Sequence, residues 1–387
     1  KSALPDMPEA VFLSGVFAYD VVDQFEPLPK AEAGNDFPDY VFYLADRMIF
    51  IDHMKHSAQA IVCSFGAATE DDLDAVLNDI ADSAVRAAAL FEPHYLPVTL
   101  SQRIVHTDCS NDEFARRVLS LKKHIVAGDV FQIVLSRSLT TPCRNAFNAY
   151  RSLRAINHSP YMFYMNDPSF TLFGASPESA VKVDGSKKTV EISPIAGTRR
   201  RGFKPDGTID FDLDSRIEAE LRLDEKENAE HMMLVDLARN DVARVSKPNT
   251  RFVTNLMRTE RYSHVMHLVS RVAGELRDEF DALHAYQASM NMGTLTGAPK
   301  IRAMQLLRKY EGTRRGHYGG AIGYLSGDGS LDTAIVIRSA LVKDGIGEVR
   351  AGAGIVQDSD PNGEAEETYR KAEAVLYAIA LSEQHHD

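Results

Sequence analysis

The chain is 387 residues long, 44% hydrophobic and 25% charged, the composition of a globular protein able to bury a substantial core in one large domain or a few average ones. A formal net charge of -12 argues against nucleic acid and anionic membranes as partners, so an anionic substrate must be met by local Arg, Lys or metal. Cys63, Cys109 and Cys143, an odd set without CxxC spacing, exclude a disulfide framework, and no apolar run reaches membrane-spanning length; a reduced, cytoplasmic protein is expected.

The runs at residues 10–19 (AVFLSGVFAY) and 40–52 (YVFYLADRMIFID) read as strands between Pro and Asn/Asp turn signals, so the chain begins inside a sheet. Residues 70–90 read as an amphipathic helix, ended by Pro93 and Pro97 at a seam near 92–110. Ser110, with Glu113 three residues on, caps a helix in which Phe114, Val118, Leu121 and Ile125 keep helical spacing as far as Gly128. Strands follow at FQIVLSRSL, PYMFYM, FTLFGAS and AVKV. A long helical region from Asp212 to about Val245 carries Ile217, Leu221, Met232, Leu234, Val235 and Leu237 as apolar members. Strands return at GGAIGYLS, TAIVIRSALV and EVRAGAGIV before a closing helix with Ala372, Val375, Leu376 and Ile379 on its core side. This order lacks strict βαβ alternation and favours an α+β or layered-sheet fold over a doubly wound one.

The richest chemistry lies in AGAGIVQDSDPNGEAEETYRK, where Gly352 and Gly354 leave a strand end bare of Cβ atoms and Glu364, Glu367 and Lys371 follow on a helix. Two carboxylates three apart share a helix face and repel unless a cation stands between them; oxygen ligands suit magnesium, although first-turn acids also simply complement a helix dipole. Glu230 stands at the rim of an apolar turn and can reach the same ion, or be solvated surface. Arg338 lies in the apolar run IVIRSAL, where a guanidinium is costly to bury without an anion. GTLTGAPK fails the spacing of a phosphate-binding loop. His267, in HVMHLVSRV, reads either as a satisfied core histidine or as a catalyst.

In order along the chain, SPE at 176–178, PIAGTRRRG, DEKENAEHMMLVDLARND, HLVSRVAGEL, GTLTGAPK, YGGAIGY, DTAIVIRSAL and AGAGIVQDSDPNGEAEET resemble the motif set of the chorismate-utilising enzymes, across nearly all of residues 8–380. The resemblance implies a layered antiparallel β-sheet sandwich with peripheral helices. Residues 1–387 would form a chorismate-binding catalytic domain, N-terminally incomplete, with 1–100 the remainder of a regulatory sheet region and 101–380 the core. It also implies a magnesium-dependent reaction in which ammonia adds at C2 of chorismate, the C4 hydroxyl leaves, and pyruvate is eliminated to give anthranilate, the first committed step of tryptophan biosynthesis.

Carried over by motif, Glu230 and Glu367 resemble metal ligands with Glu364 beside them. Backbone groups of Gly352, Ala353 and Gly354, together with Lys371, would hold the ring carboxylate, while Tyr318 and Arg338 would hold that of the enolpyruvyl arm. Glu178 is expected to protonate the departing hydroxyl and His267 to move the proton in pyruvate loss, with Gly197, Thr198 and Thr294 beside the ring. Gln132 stands where water-using members of the family carry a lysine, and an amide cannot activate water as a base. Ala196 stands where aminodeoxychorismate synthases carry a lysine able to attack the ring. Both residues favour direct ammonia addition; an aminodeoxyisochorismate or aminodeoxychorismate synthase, or a catalytically silent chorismate-binding subunit, is the alternative. Pro160, Tyr161 and Met162 resemble half of a tryptophan feedback site whose other half, an LLES segment, is absent. No glutaminase nucleophile is evident, so a glutamine amidotransferase subunit is the expected ammonia source and a hetero-oligomer the expected assembly.

Overall fold

A computed structural model describes residues 7–31, 36–67, 69–88, 105–262 and 265–383. Its strands form two large sheets, of nine and seven strands, and a separate two-stranded sheet from Arg47–Asp52 and Ser57–Val62. In the first sheet the order is Ile195–Arg200, Val265–Glu275, Thr189–Ile192, Ser179–Asp184, Leu331–Ile335, Ala321–Ser326, Phe12–Phe17 and Tyr40–Leu44, with Phe252–Arg261 also paired to Val265–Glu275. The second runs Gly297–Ala298, Gln132–Pro142, Ile346–Ile355, Ser339–Lys343, Phe170–Ser176 and Tyr161–Asp167, with His106–Thr107 also on Gln132–Pro142. Its spine is the antiparallel pair Gln132–Pro142 and Ile346–Ile355, in register from Ile346 opposite Pro142 to Ile355 opposite Ile133.

Alternating apolar residues glue these sheets into layers. Val16, Ile322 and Ala334 of the first sheet meet Phe170 and Leu172 of the second in one buried cluster. On its other side, the first sheet buries Val181, Val190 and Val272 against Val235, Ala238 and Val242 of the helix Glu225–Val245. The second buries Phe173 and Val349 against Leu153 and against Val375, Leu376 and Ile379 of the closing helix Pro361–Ser382. Its other end covers Ile133, Leu135 and Ala353 with Phe114, Val118 and Leu121 and with Leu306 and Leu307 of the helix Lys300–Glu311. The expected layered antiparallel sandwich with peripheral helices is the fold observed.

Two elements differ from the sequence reading. The long helical region is two helices, Phe211–Leu223 and Glu225–Val245, because Asp224 leaves the helical conformation and accepts a hydrogen bond from the Glu227 amide as an N-cap. The run at 10–19 is a strand only from Phe12 to Phe17, after which Tyr19–Gln24 tightens into a 3-10 helix. Of the seam at 92–110, residues 92–104 lie outside the described residues; Ser110 caps the helix Asn111–Val126 through the Glu113 amide as expected.

The chain crosses between the large sheets twice at one place. It passes from Phe170–Ser176 to Ser179–Asp184 through Pro177 and Glu178, and returns from Leu331–Ile335 to Ser339–Lys343 through Val336, Ile337 and Arg338. The Ile335 amide donates to the Glu178 carbonyl at 3.0 Å and the Ala175 amide to the Arg338 carbonyl at 3.1 Å, which locks the crossings side by side. Arg338 has φ +51°, a left-handed conformation costly for a side chain with a Cβ and concentrated at functional sites.

Candidate active site

Beside these crossings opens a cleft of about 2080 Å3, its mouth included. Gln132, Glu178, Gly197, Thr198, Glu230, His267, Thr294, Tyr318, Arg338, Gly352, Gly354, Glu364, Glu367 and Lys371 all line it, although they come from both sheets and three helices. Ala353 does not: alternation along the strand turns its methyl into the opposite core, beside Phe114 and Leu135, so only its backbone is available to a ligand.

The two glycines are required by their neighbours. A Cβ on Gly352 would stand 2.8 Å from the Tyr318 hydroxyl and 2.9 Å from the Leu135 carbonyl, and one on Gly354 would stand 2.8 Å from Gln132 Nε2. They therefore make room first for the protein's own polar groups and then for a ligand. Tyr318 is buried, and that burial pushes its hydroxyl up to about 12, so it remains a donor. The Gln132 side-chain oxygen is buried with no hydrogen-bond partner among the described residues, a cost of about 1–3 kcal/mol unless something in the cleft meets it.

Glu178 is 8% exposed. Burial pushes its carboxyl up to about 8 against the opposing pull of Thr294, the Ile195 amide and Lys371. A carboxylic acid kept neutral in this way can give up a proton at neutral pH. The Thr294 hydroxyl beside it is itself buried and closes no strict hydrogen bond. His267 is a cleft residue, whose Nδ1 meets Thr198 Oγ1 at 2.8 Å and whose ring stands edge-on to Tyr262. Burial and then the Arg338 charge hold its pKa below the usual imidazole range, leaving it neutral and able to take a proton.

Arg338 donates to the Lys371 carbonyl at 3.2 Å, and among the described residues no carboxylate lies within ion-pair distance of it. Lys371 donates to the Gly352 carbonyl at 3.0 Å and pairs with Glu367 at 2.6 Å, tying the closing helix to the glycine strand. Both cations thus border the cleft with capacity left for an anion.

Glu230, on the helix Glu225–Val245, faces Glu364 and Glu367 on the closing helix. Burial first, and then the neighbouring carboxylates, raise the pKa of Glu230 and of Glu364. Lys226 stands 3.8 Å from Glu230 and offsets part of this repulsion. Among the described residues no three His, Cys, Asp or Glu groups already converge on one point as a cage. The donor set of carboxylate oxygens, mutually repelled and partly offset by Lys226 and Lys371, nevertheless fits a hard divalent cation that keeps several waters.

The sequence reading missed Arg350, which lines the cleft from the glycine strand. It donates to Glu311 at 3.0 Å and to Ser136 Oγ at 3.0 Å, while Arg315 holds the other side of Glu311 at 2.7 Å. Burial works against the Glu311 charge, but the two arginines hold its carboxyl down at about 2. The signal was present: Arg350 is a guanidinium in an apolar strand, the same anomaly that singled out Arg338. Pro160, Tyr161 and Met162 lie away from this cleft; Tyr161 meets Asp332 at 3.4 Å with Lys182 over its ring, and Met162 packs on the core beneath the closing helix.

The chain resembles known proteins over most of its length. The sequence matches the chorismate binding enzyme family over residues 1–377. It is 57% identical over 373 residues to anthranilate synthase component 1 of Vibrio parahaemolyticus serotype O3:K6, across 96% of this chain and 68% of that protein. It is 53% identical over 381 residues to anthranilate synthase component 1 of Escherichia coli K12, across 98% of this chain and 72% of that one. The crystal structure of anthranilate synthase component I from Streptococcus pneumoniae TIGR4 superposes with a TM-score of 0.83 at 33% identity, covering 97% of this chain and 82% of that chain.

Proposed function

The chain belongs to the chorismate binding enzyme family, and from that premise we propose that it performs the anthranilate synthase reaction, joining ammonia to chorismate and releasing anthranilate and pyruvate. The observation that carries this reading is one cleft with a neutral buried acid at Glu178, a neutral histidine at His267 and cations at Arg338 and Lys371. Chorismate carries two carboxylates. Arg338 and the Tyr318 hydroxyl take that of the enolpyruvyl arm; Lys371 and the backbone from Gly352 to Gly354 take that of the ring. Thr198 and Thr294 flank the ring, and Gly197 keeps that wall free of a side chain.

In the first step ammonia forms a bond at C2, the ring double bond shifts, and the C4 hydroxyl departs as water with the proton of Glu178. In the second, His267 removes the C2 proton as the bond from ring C3 to the enolpyruvyl oxygen breaks; the ring becomes aromatic, and the departing enolate takes a proton on its methylene carbon, from the protonated His267 or water, to become pyruvate. Gln132 offers an amide where a base would be needed to activate water, so ammonia, already a nucleophile, is the species that adds. Glu230, Glu364 and Glu367 would hold magnesium, which when bound supplies charge to anchor the ring carboxylate. With glutamine as nitrogen source, ammonia comes from a separate amidotransferase component in a hetero-oligomer. Tryptophan, held in part by Pro160, Tyr161 and Met162, would be the feedback ligand of the intact protein. Three free thiols fit a reducing cytoplasm, and among the described residues no helix is long and apolar enough to cross a membrane.

Chorismate, ammonium and magnesium added to the protein should yield the fluorescence of anthranilate. Chorismate binding without turnover would instead identify a silent binding subunit and sink this reading.

A further inference from the structure

A second cavity, with about 20 Å3 of room and so space for about one water, lies against the cleft and shares Glu178, Leu234 and Thr294 with it as walls. Its remaining surface is largely apolar, from Ile192, Leu237, Ala238 and Ile335, but its polar members include Ser193 and Asp241. Asp241 is 8% exposed, and its Oδ2 accepts from Lys300 Nζ at 2.8 Å, with the same ammonium donating to the Ser289 carbonyl at 2.8 Å. The charged groups around Asp241 are Lys300 and Arg244; those around Glu178 are Lys371 and, as dipoles, Thr294 and the Ile195 amide. A pocket bordered by the carboxyl groups of Glu178 and Asp241 and the hydroxyls of Ser193 and Thr294 suits a water.

The proposed reaction leaves Glu178 as a carboxylate once per turnover. With ammonia as nucleophile the protons balance: the added nitrogen loses one on becoming an amine, and Glu178 must recover one. What remains is the route, since a bound ring fills the cleft side of the acid. We propose that Glu178 regains its proton through water held in this second cavity, with Asp241 as the port to solvent and Lys300 as the group that positions Asp241. The inference rests on the anthranilate synthase reading above and adds to it a working role for the buried pair that joins the LARND and GTLTGAPK motifs.

The test compares full-length parent, Asp241→Asn, and Ala238→Leu, which narrows the cavity without touching a charge. In a bulky buffer, kcat should fall about tenfold in each variant, below the full value of acid–base assistance because water still reaches Glu178 slowly. The KM for chorismate should hold, and the solvent deuterium isotope effect on kcat should rise. Imidazole, a small proton donor, should restore most of the loss in Asp241→Asn and have no effect on the parent. Should Asp241→Asn fail to fold because Lys300 is left unpaired, the double variant Asp241→Asn, Lys300→Met takes its place. Parental kcat in both variants, or a loss with neither isotope effect nor imidazole rescue, overturns the proposal. A parent that makes no anthranilate at all would instead overturn the function on which it rests.

Discussion

At the scale of single residues, Glu178 and His267 divide the proposed chemistry by protonation state. Glu178→Gln removes the transferable proton at constant volume, so turnover should drop by about 10²- to 10⁴-fold, read as the rate of anthranilate fluorescence. The same carboxyl gives a stability signature with a definite sign. Its pKa rises from 4.5 to about 8 on folding, so the folded protein holds a proton that the unfolded chain releases. That contribution is complete below the unfolded value and is lost as pH climbs through about 8. Thermal unfolding of Glu178→Gln should therefore lack this decline and exceed the parent's midpoint at pH 9. For His267, a His267→Met variant should still add ammonia and accumulate the amino, enolpyruvyl-retaining intermediate, resolved from chorismate and anthranilate by chromatography. Equal slowing of both steps in a stably folded variant would leave the histidine a structural role.

At the scale of elements, the site depends on one strand lying closely under one helix. Gly352→Ala puts a methyl against the Tyr318 hydroxyl and the Leu135 carbonyl, and the latter is backbone that cannot swing aside. Overpacking of this kind costs about 1–3 kcal/mol; the midpoint should fall and the KM for chorismate should rise as Tyr318 is displaced. On the closing helix, Glu367→Gln removes one carboxylate charge and frees Lys371 from its ion pair. The magnesium concentration needed for half-maximal activity should rise at least severalfold while circular dichroism stays unchanged. An unaltered magnesium requirement would assign Glu367 to the helix dipole alone. The helices Phe211–Leu223 and Glu225–Val245 meet at Asp224, which also binds Arg199 at 2.8 Å; this corner orients the helix that carries Glu230.

At the scale of the whole molecule, the two sheet crossings explain why a cleft forms here. Both carry a cleft-lining residue, both are short, and each is fixed to the other by backbone hydrogen bonds. Chorismate would enter between layers already held apart by their own cores, so ammonium should support turnover by this chain alone. Glutamine should support it only when an amidotransferase component is added, which parallel assays with the two nitrogen sources would show. Glutamine turnover by the chain alone would contradict the need for that partner.

What the sequence determined by itself were the properties written in local pattern and in motif order. Alternation marked the strands, helical spacing marked Phe114 to Ile125 and Ala372 to Ile379, and the ordered motifs marked the family and most of the cleft residues. Arg338 in an apolar run marked a cleft cation, and Arg350 carried the same signal unread. Tertiary structure alone decided the rest. Glu178 acquires its proton affinity from burial at a crossing between two sheets, and nothing in SPE states that desolvation. The glycines at 352 and 354 answer to Tyr318 and Gln132, which approach from other strands and loops. Asp224 breaks a helix that periodicity alone leaves continuous, because its cap and its Arg199 partner outweigh continuation of the helix. Asp241 and Lys300, ordinary charges on two helical segments, become a buried pair beside the acid. Each depends on long-range packing, which sets dielectric, contact and geometry together and leaves no periodic trace in the chain.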